Sequence, residues 1–174
     1  FMFKRTGNVK KWLAHKINVC LGTDSPMSGG FNILDELHFA KATYKKLFKK
    51  DIDDKILVNM VTVNSARAFR VDSRLGSLEK GKTADLLVID GDSKRPYSSL
   101  VKADLEDVAL VIYRGMPVYG DREYEDIFRA LKVKVSRFKL GKKQKISVGS
   151  PLELLATIRK LVGFKKQLPF LPIE

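Results

Sequence analysis

Leu21-Gly22-Thr23-Asp24-Ser25-Pro26-Met27-Ser28-Gly29-Gly30 is the stretch on which the reading of this chain turns. Ahead of it, Ile17 to Leu21 is a short apolar run rich in β-formers (Ile17, Val19, Cys20, Leu21), of the length expected for a strand buried on both faces. The run stops at Gly22-Thr23-Asp24, small residues and a proline follow, and an amphipathic pattern begins near Asn32. Strand, polar tip, Gly/Ser/Pro loop and helix is the order met at the functional end of parallel-strand enzymes, where strand C-termini face the substrate. An acidic side chain at such a tip can bind a metal, take a proton, or cap the next helix.

Upstream, Asn8 to His15 reads as a short helix with Val9, Trp12 and Leu13 on one face. A parallel strand at Ile17 to Leu21 needs neighbours on both sides, and no other βα repeat in the chain offers them, so this segment reads as part of something larger. Downstream, Asn32 can cap a strong helix with Asp35 and Glu36 in its first turn and Lys45, Lys46, Lys49 and Lys50 at its end, all favourable to the helix dipole. Ile33, Leu34, Leu37, Ala40, Tyr44, Leu47 and Phe48 keep helical spacing and predict a core face. Asp53 or Asp54 starts a second helix that breaks near Asn64, where the asparagine reads as a C-cap or turn former, followed by a helical turn from Ser65 to Phe69.

After Arg70 the character changes to strands. Ala84 to Ile89 reads as one strand, and Val108 to Tyr113, Arg114-Gly115 and Met116 to Tyr119 read as a hairpin. Asp85 and Asp90 flank the first strand and are expected to satisfy loop amides. Residues 121–174 read as a third piece. Tyr124 to Leu131 is helical, Val133 to Phe138 and Lys145 to Val148 form a hairpin around Gly141, and the Lys142-Lys143 tip is solvated. Ser150-Pro151-Leu152-Glu153 then opens a helix that Gly163 ends, before an extended Leu168-Pro169-Phe170-Leu171-Pro172. The division expected is 1–70, 71–120 and 121–174.

Among 174 residues, 44% are hydrophobic and 30% charged, a globular rather than disordered balance. No apolar run reaches the ~20 residues of a membrane span and no signal-peptide pattern opens the chain. The single cysteine, Cys20, cannot form an internal disulfide and is expected as a buried thiol, which fits a cytoplasmic location. The net charge of +13 is uneven, with Lys and Arg outnumbering Asp and Glu by 10 to 3 over residues 1–50 and 13 to 6 over 121–174. Such ends could attract nucleic acid, but no RNA-binding aromatic motif, zinc finger or helix-turn-helix accompanies them, and solvated lysines are the simpler account. Trp12, Phe31, Phe39 and Phe48 are expected in the core.

Three blocks in order resemble the C-terminal part of the metal-dependent amidohydrolases, the superfamily of cytosine-deaminase-like and chlorohydrolase-like enzymes, imidazolonepropionases and dihydroorotases. They are Leu21-Gly22-Thr23-Asp24-Ser25 with the Leu34-Asp35-Glu36-Leu37 helix, Val63-Asn64-Ser65-Ala66-Arg67-Ala68-Phe69 leading to Leu75-Gly76-Ser77-Leu78-Glu79-Lys80-Gly81-Lys82-Thr83-Ala84-Asp85-Leu86-Leu87-Val88-Ile89-Asp90, and Val111-Ile112-Tyr113-Arg114-Gly115-Met116-Pro117-Val118-Tyr119. The resemblance covers about residues 8–120. It implies an α/β fold, the last helix–strand–helix units of a (β/α)8 TIM barrel plus part of a small β-sandwich. Ile17 to Leu21 would be the eighth barrel strand. Asp24 would be the aspartate that touches a divalent metal (zinc, with iron as the alternative) and accepts a proton from the metal-bound water. Ser25, Pro26 and Met27, with the rest of the Pro26-Met27-Ser28-Gly29-Gly30 loop, would line the substrate pocket.

The resemblance also implies a His-x-His pair and further histidines, whereas this chain has only His15 and His38, neither placed as a ligand. One aspartate cannot hold zinc, which takes three or four protein ligands. The expectation is therefore a C-terminal portion that is inactive alone. It would work with the missing N-terminal part of the same protein on a small-molecule substrate, as a homo-oligomer, hydrolysing a non-peptide C–N bond and deaminating a cyclic compound. Alone, its unpaired strand edges would favour association. The alternative is a non-catalytic basic domain that binds nucleic acid or another polyanion.

Overall fold

Asn32 begins the longest helix by accepting the amides of Leu34 and Asp35 on its side chain at 2.8 and 3.1 Å, and Lys49 ends it in the left-handed conformation with φ 53°. The computed structural model that shows this describes residues 6–25, 28–164 and 173. The chain divides into two units, Phe1–Thr83 with Gly91–Asp104, and Ala84–Asp90 with Leu105–Glu174.

The first unit is helical: α1 (Val9–Ala14), α2 (Ile33–Phe48), α3 (Asp54–Val61), α4 (Val63–Ala68) and α5 (Pro96–Lys102). Asp53 caps α3 through the Lys55 amide at 2.9 Å. The core is made by Leu34 and Leu37 of α2, Ile52, Leu57, Val58 and Met60 of α3 and its approach, Ala66 of α4, and Val101 with Ala103 at α5. The sequence pattern did not reveal α5, whose seven residues are too few for a clear period but which starts with proline at its first position.

Three expectations need correction here. Ile17 to Leu21 is not a strand but an extended segment, because among the described residues no strand lies beside it to supply a ladder. For the same reason Cys20 is exposed rather than buried. Trp12, Phe31 and Phe39 are also exposed, and Trp12, Phe39, Tyr44, Leu47 and Phe48 border an open apolar cavity. Helical spacing identifies an apolar face but not whether anything covers it.

The Gly-Ser-Leu-Glu block packs onto α4 as a turn. Gly76 has φ 90°, and a Cβ there would lie 2.5 Å from the Ala66 Cβ and 3.2 Å from the Thr62 carbonyl oxygen. Just beyond, Ser77 and Lys82 both bond Glu79 and hold its carboxyl below the usual range, the Ser77 hydroxyl contributing most. Gly76→Ala should therefore destabilise the chain by about 1–3 kcal/mol through the left-handed backbone and the clash together. Urea unfolding checks it, and an unchanged midpoint would mean that the turn re-forms without strain.

The second unit holds one antiparallel sheet of five strands in the order β1-β2-β3-β5-β4. The strands are β1 (Leu86–Ile89), β2 (Val108–Tyr113), β3 (Met116–Asp121), β4 (Ser136–Leu140) and β5 (Lys143–Ser147), with a 3-10 turn at Arg122–Tyr124, α6 (Glu125–Ala130) and α7 (Pro151–Val162). The β2–β3 turn has positive φ at both Arg114 and Gly115, as a tight hairpin requires. Asp85 accepts the Arg114 amide at 2.7 Å, the loop role expected of it. The β4–β5 hairpin turns at Gly141 and joins the sheet through β5 against β3. Leu110, Phe128 and Ile146 form the core of this unit, with Ile112, Tyr124, Val133 and Val135 packed around them. Ser150 caps α7 through the Glu153 amide at 3.3 Å and Gly163 ends it at φ 75°. The expected extended stretch from Leu168 to Pro172 lies outside the described residues.

Of the Lys142-Lys143 tip expected to be solvated, Lys142 is exposed but Lys143 is held in ion pairs. Lys143 pairs with Asp90 and approaches Asp121 at 3.6 Å. Lys145 is 1% exposed, and its ammonium meets the Asp121 carboxylate together with the Glu106 and Val108 carbonyl oxygens, the latter two at 2.8 Å. The two carbonyls accept hydrogen bonds from the ammonium, and the Asp121 carboxylate adds an ion pair. Burial, with Asp121 nearby, pushes the Tyr119 phenol well above its ordinary value. Arg137 bonds Glu125 and holds that carboxyl below its ordinary range, tying β4 to the start of α6.

Candidate active site

Asp24 stands at the end of the extended segment, and that segment is held by side chains instead of a β-ladder. The Asn64 side-chain amide donates to the Val19 carbonyl at 2.9 Å, and the Asn18 side chain donates to the Asn64 carbonyl at 2.9 Å. The Leu21 amide reaches the Met60 carbonyl at 3.2 Å. Asn64 is thus neither a C-cap nor a turn former. It lies inside α4 and clasps the segment that leads to Asp24.

Asp24 itself is exposed and has φ 54°. Among residues with a side chain, aspartate and asparagine tolerate this left-handed conformation best. Its Oδ2 accepts the Ser28 hydroxyl at 2.6 Å, and the Ser25 and Ser28 hydroxyls lie 3.0 Å apart. The Ser25 carbonyl accepts the amides of Ser28 and Gly29 at 3.0 and 2.7 Å, closing the turn. Of the pocket residues expected from the sequence, Ser25 is thus brought beside Asp24. Pro26 and Met27 lie outside the described residues.

The sequence reading tied neither Ser28 nor Glu36 to Asp24. Ser28 is the direct partner of the Asp24 carboxylate. Glu36 is 8% exposed and takes the Gly30 amide on its Oε1. Glu36 falls three residues after Ile33 and four before Ala40, on the apolar face of α2, and a charge on such a face is the signal that was available.

A metal needs more donors than this. Among the described residues no group of three or more His, Cys, Asp and Glu is placed to share an ion, and His15 and His38 are exposed, away from any such role. A single carboxylate does not fit a zinc site by itself. What the turn can do is present one oriented carboxylate to a proton donor or a cation.

Residues 4–133 match the model of the amidohydrolase family. The chain is 35% identical over 130 residues to 5-methylthioadenosine/S-adenosylhomocysteine deaminase of Thermoanaerobacter pseudethanolicus, a match covering 68% of this chain and 30% of that protein. It is 27% identical over 128 residues to the guanine deaminase of Mus musculus, covering 70% of this chain and 28% of that protein. Among solved structures, an adenosine deaminase from Xanthomonas campestris with bound zinc superposes with a TM-score of 0.54 at 26% identity, over 60% of this chain and 26% of that one. The guanine deaminase of E. coli gives 0.56 at 21% identity over 65% of this chain and 29% of that one, a likeness of fold. The chain thus spans under a third of the length of these relatives. With most of its residues inside the family match, the chain belongs to the amidohydrolase family.

Proposed function

We propose that this chain is the C-terminal portion of a hydrolase that deaminates a cyclic amino compound, with Asp24 as its proton acceptor. The observation that carries the reading is the Asp24 carboxylate, held by Ser28 at the end of an extended segment within the stretch matched to the amidohydrolase family. In the proposed reaction Asp24 takes a proton from water as the water oxygen bonds to the ring carbon that bears the amino group. The proton then passes to the amino nitrogen, the C–N bond breaks and ammonia leaves, while the remaining proton of the added hydroxyl moves to the adjacent ring nitrogen, so that the carbon keeps the oxygen as a carbonyl. Ser25, Pro26 and Met27 would shape the side of the pocket next to Asp24. The relatives named for 5-methylthioadenosine, S-adenosylhomocysteine and guanine make a purine ring the first substrate class to try.

The whole protein is proposed to depend on a divalent metal, zinc or iron, whose other ligands belong to the remaining length of the relatives. Elemental analysis separates the two parts of this reading. The 174-residue chain alone should retain well under one metal ion per chain after dialysis, and the full-length protein about one or two, since one carboxylate cannot compete with water and three or four ligands can. A stoichiometric, chelator-resistant metal in the short chain would show that the site has been misplaced. The reading as a whole is tested by ammonia release from the full-length protein with 5-methylthioadenosine, S-adenosylhomocysteine, adenosine and guanine. Turnover of one of them is expected. Failure on all four and on other cyclic amino and amide compounds would count against it.

The exposed apolar residues of the first unit, Trp12, Phe31, Phe39 and Leu47 among them, support association of this part with the rest of the protein.

A further inference from the structure

A carboxylate on an exposed turn transfers protons well only if the turn is held, because small misplacements of a reacting group are costly in rate. Here the turn is held from both ends. Ser28 donates to Asp24 Oδ2 at 2.6 Å and fixes the rotation of the carboxylate. The chain at Gly29 rests on the carbonyl of the residue before Asp24: a Cβ there would lie 1.8 Å from the Thr23 oxygen and 3.0 Å from Glu36 Oε1. The next amide, Gly30, donates to that same Glu36 oxygen. Glu36 in turn is set by α2, whose Leu34 and Leu37 are buried in the core of the first unit. A carboxylate serving only the helix dipole would sit in water. Glu36 instead is buried and bonded to the loop.

We propose that Ser28 and Glu36 are positioning residues for Asp24, Ser28 by orienting its carboxylate and Glu36 by clamping the turn to α2. The proposal rests on the reading of Asp24 as the proton acceptor.

Steady-state kinetics of the full-length protein test it, using Ser28→Ala, Ser28→Thr, Glu36→Ala, Glu36→Gln and Asp24→Asn. Ser28→Ala and Glu36→Ala are expected to lower kcat about 10- to 100-fold with little change in KM, as misplacement of the reacting group would. Ser28→Thr keeps the hydroxyl and Glu36→Gln keeps an oxygen acceptor, so each should recover most of the loss. In the Asp24→Asn background, Ser28→Ala should have no further effect on kcat, since the group it orients is gone. If Ser28→Ala folds normally with kcat within about twofold of wild type while Asp24→Asn is inactive, the positioning proposal is overturned and the role of Asp24 stands. Should Asp24→Asn turn over normally, both fall. Ser28 lies on the half-buried surface of the turn, so the Ser28 pair decides the matter even if Glu36→Ala does not fold.

Discussion

Asp24→Asn is expected to lower kcat of the full-length protein about a hundred- to ten-thousand-fold and to leave the fold intact. The two halves of this expectation have separate causes. An amide cannot take the proton from water, so the chemical step loses its base. Asparagine nevertheless adopts the left-handed backbone that Asp24 holds at φ 54° as readily as aspartate does, and its side-chain oxygen can still accept the Ser28 hydroxyl. Steady-state turnover beside circular dichroism and thermal unfolding checks both halves. Near wild-type kcat would remove Asp24 from the mechanism.

Lys145→Met should cost about 3–5 kcal/mol of stability. Methionine keeps the unbranched stem and its burial while removing the ammonium. The buried Asp121 carboxylate is then left with the 3.6 Å contact to Lys143, and the Val108 carbonyl loses the donor it has at 2.8 Å. Lys142→Met, at the exposed turn of the same hairpin, is the control and should stay within about 0.5 kcal/mol of wild type. Urea unfolding of the two variants decides between a structural ion pair and a lysine that tolerates replacement. Equal midpoints would show that the three oxygens around Lys145 find water instead.

The parts of this fold that were legible in the sequence are those decided by local chemistry. Asn32, Asp53 and Ser150 each cap a helix through amides two or three residues on, and Gly163 stops α7 where an αL residue is needed, so α2, α3 and α7 could be read from a few letters. The strand expected at Ile17 to Leu21 failed for the opposite reason. β-formers give a strand only beside another strand, and the described residues offer that segment the Asn64 clasp instead.

The site divides the same way. Asp24 is singled out as a candidate because Gly-Thr-Asp ends an apolar run and because the blocks after it resemble a known family. Asn64 was misread because its partner, Val19, is 45 residues away, and no local pattern carries that information. Glu36 was read as a favourable charge in a first helical turn, although its place on the apolar face argued for burial. Lys145 was read only as the first residue of a hairpin strand, and nothing local in Lys142-Lys143-Gln144-Lys145 marks it for burial. Only the pairing of β5 with both β3 and β4 shows that its position is covered.

The most direct measurement is turnover of the full-length protein in water enriched in heavy oxygen, with ammonia and the product's isotope content followed together. Hydrolytic deamination with Asp24 as base predicts one heavy oxygen in the product carbonyl for each ammonia released, and loss of both in Asp24→Asn. Ammonia released without solvent oxygen in the product, or undiminished labelling in the Asp24→Asn protein, would contradict it.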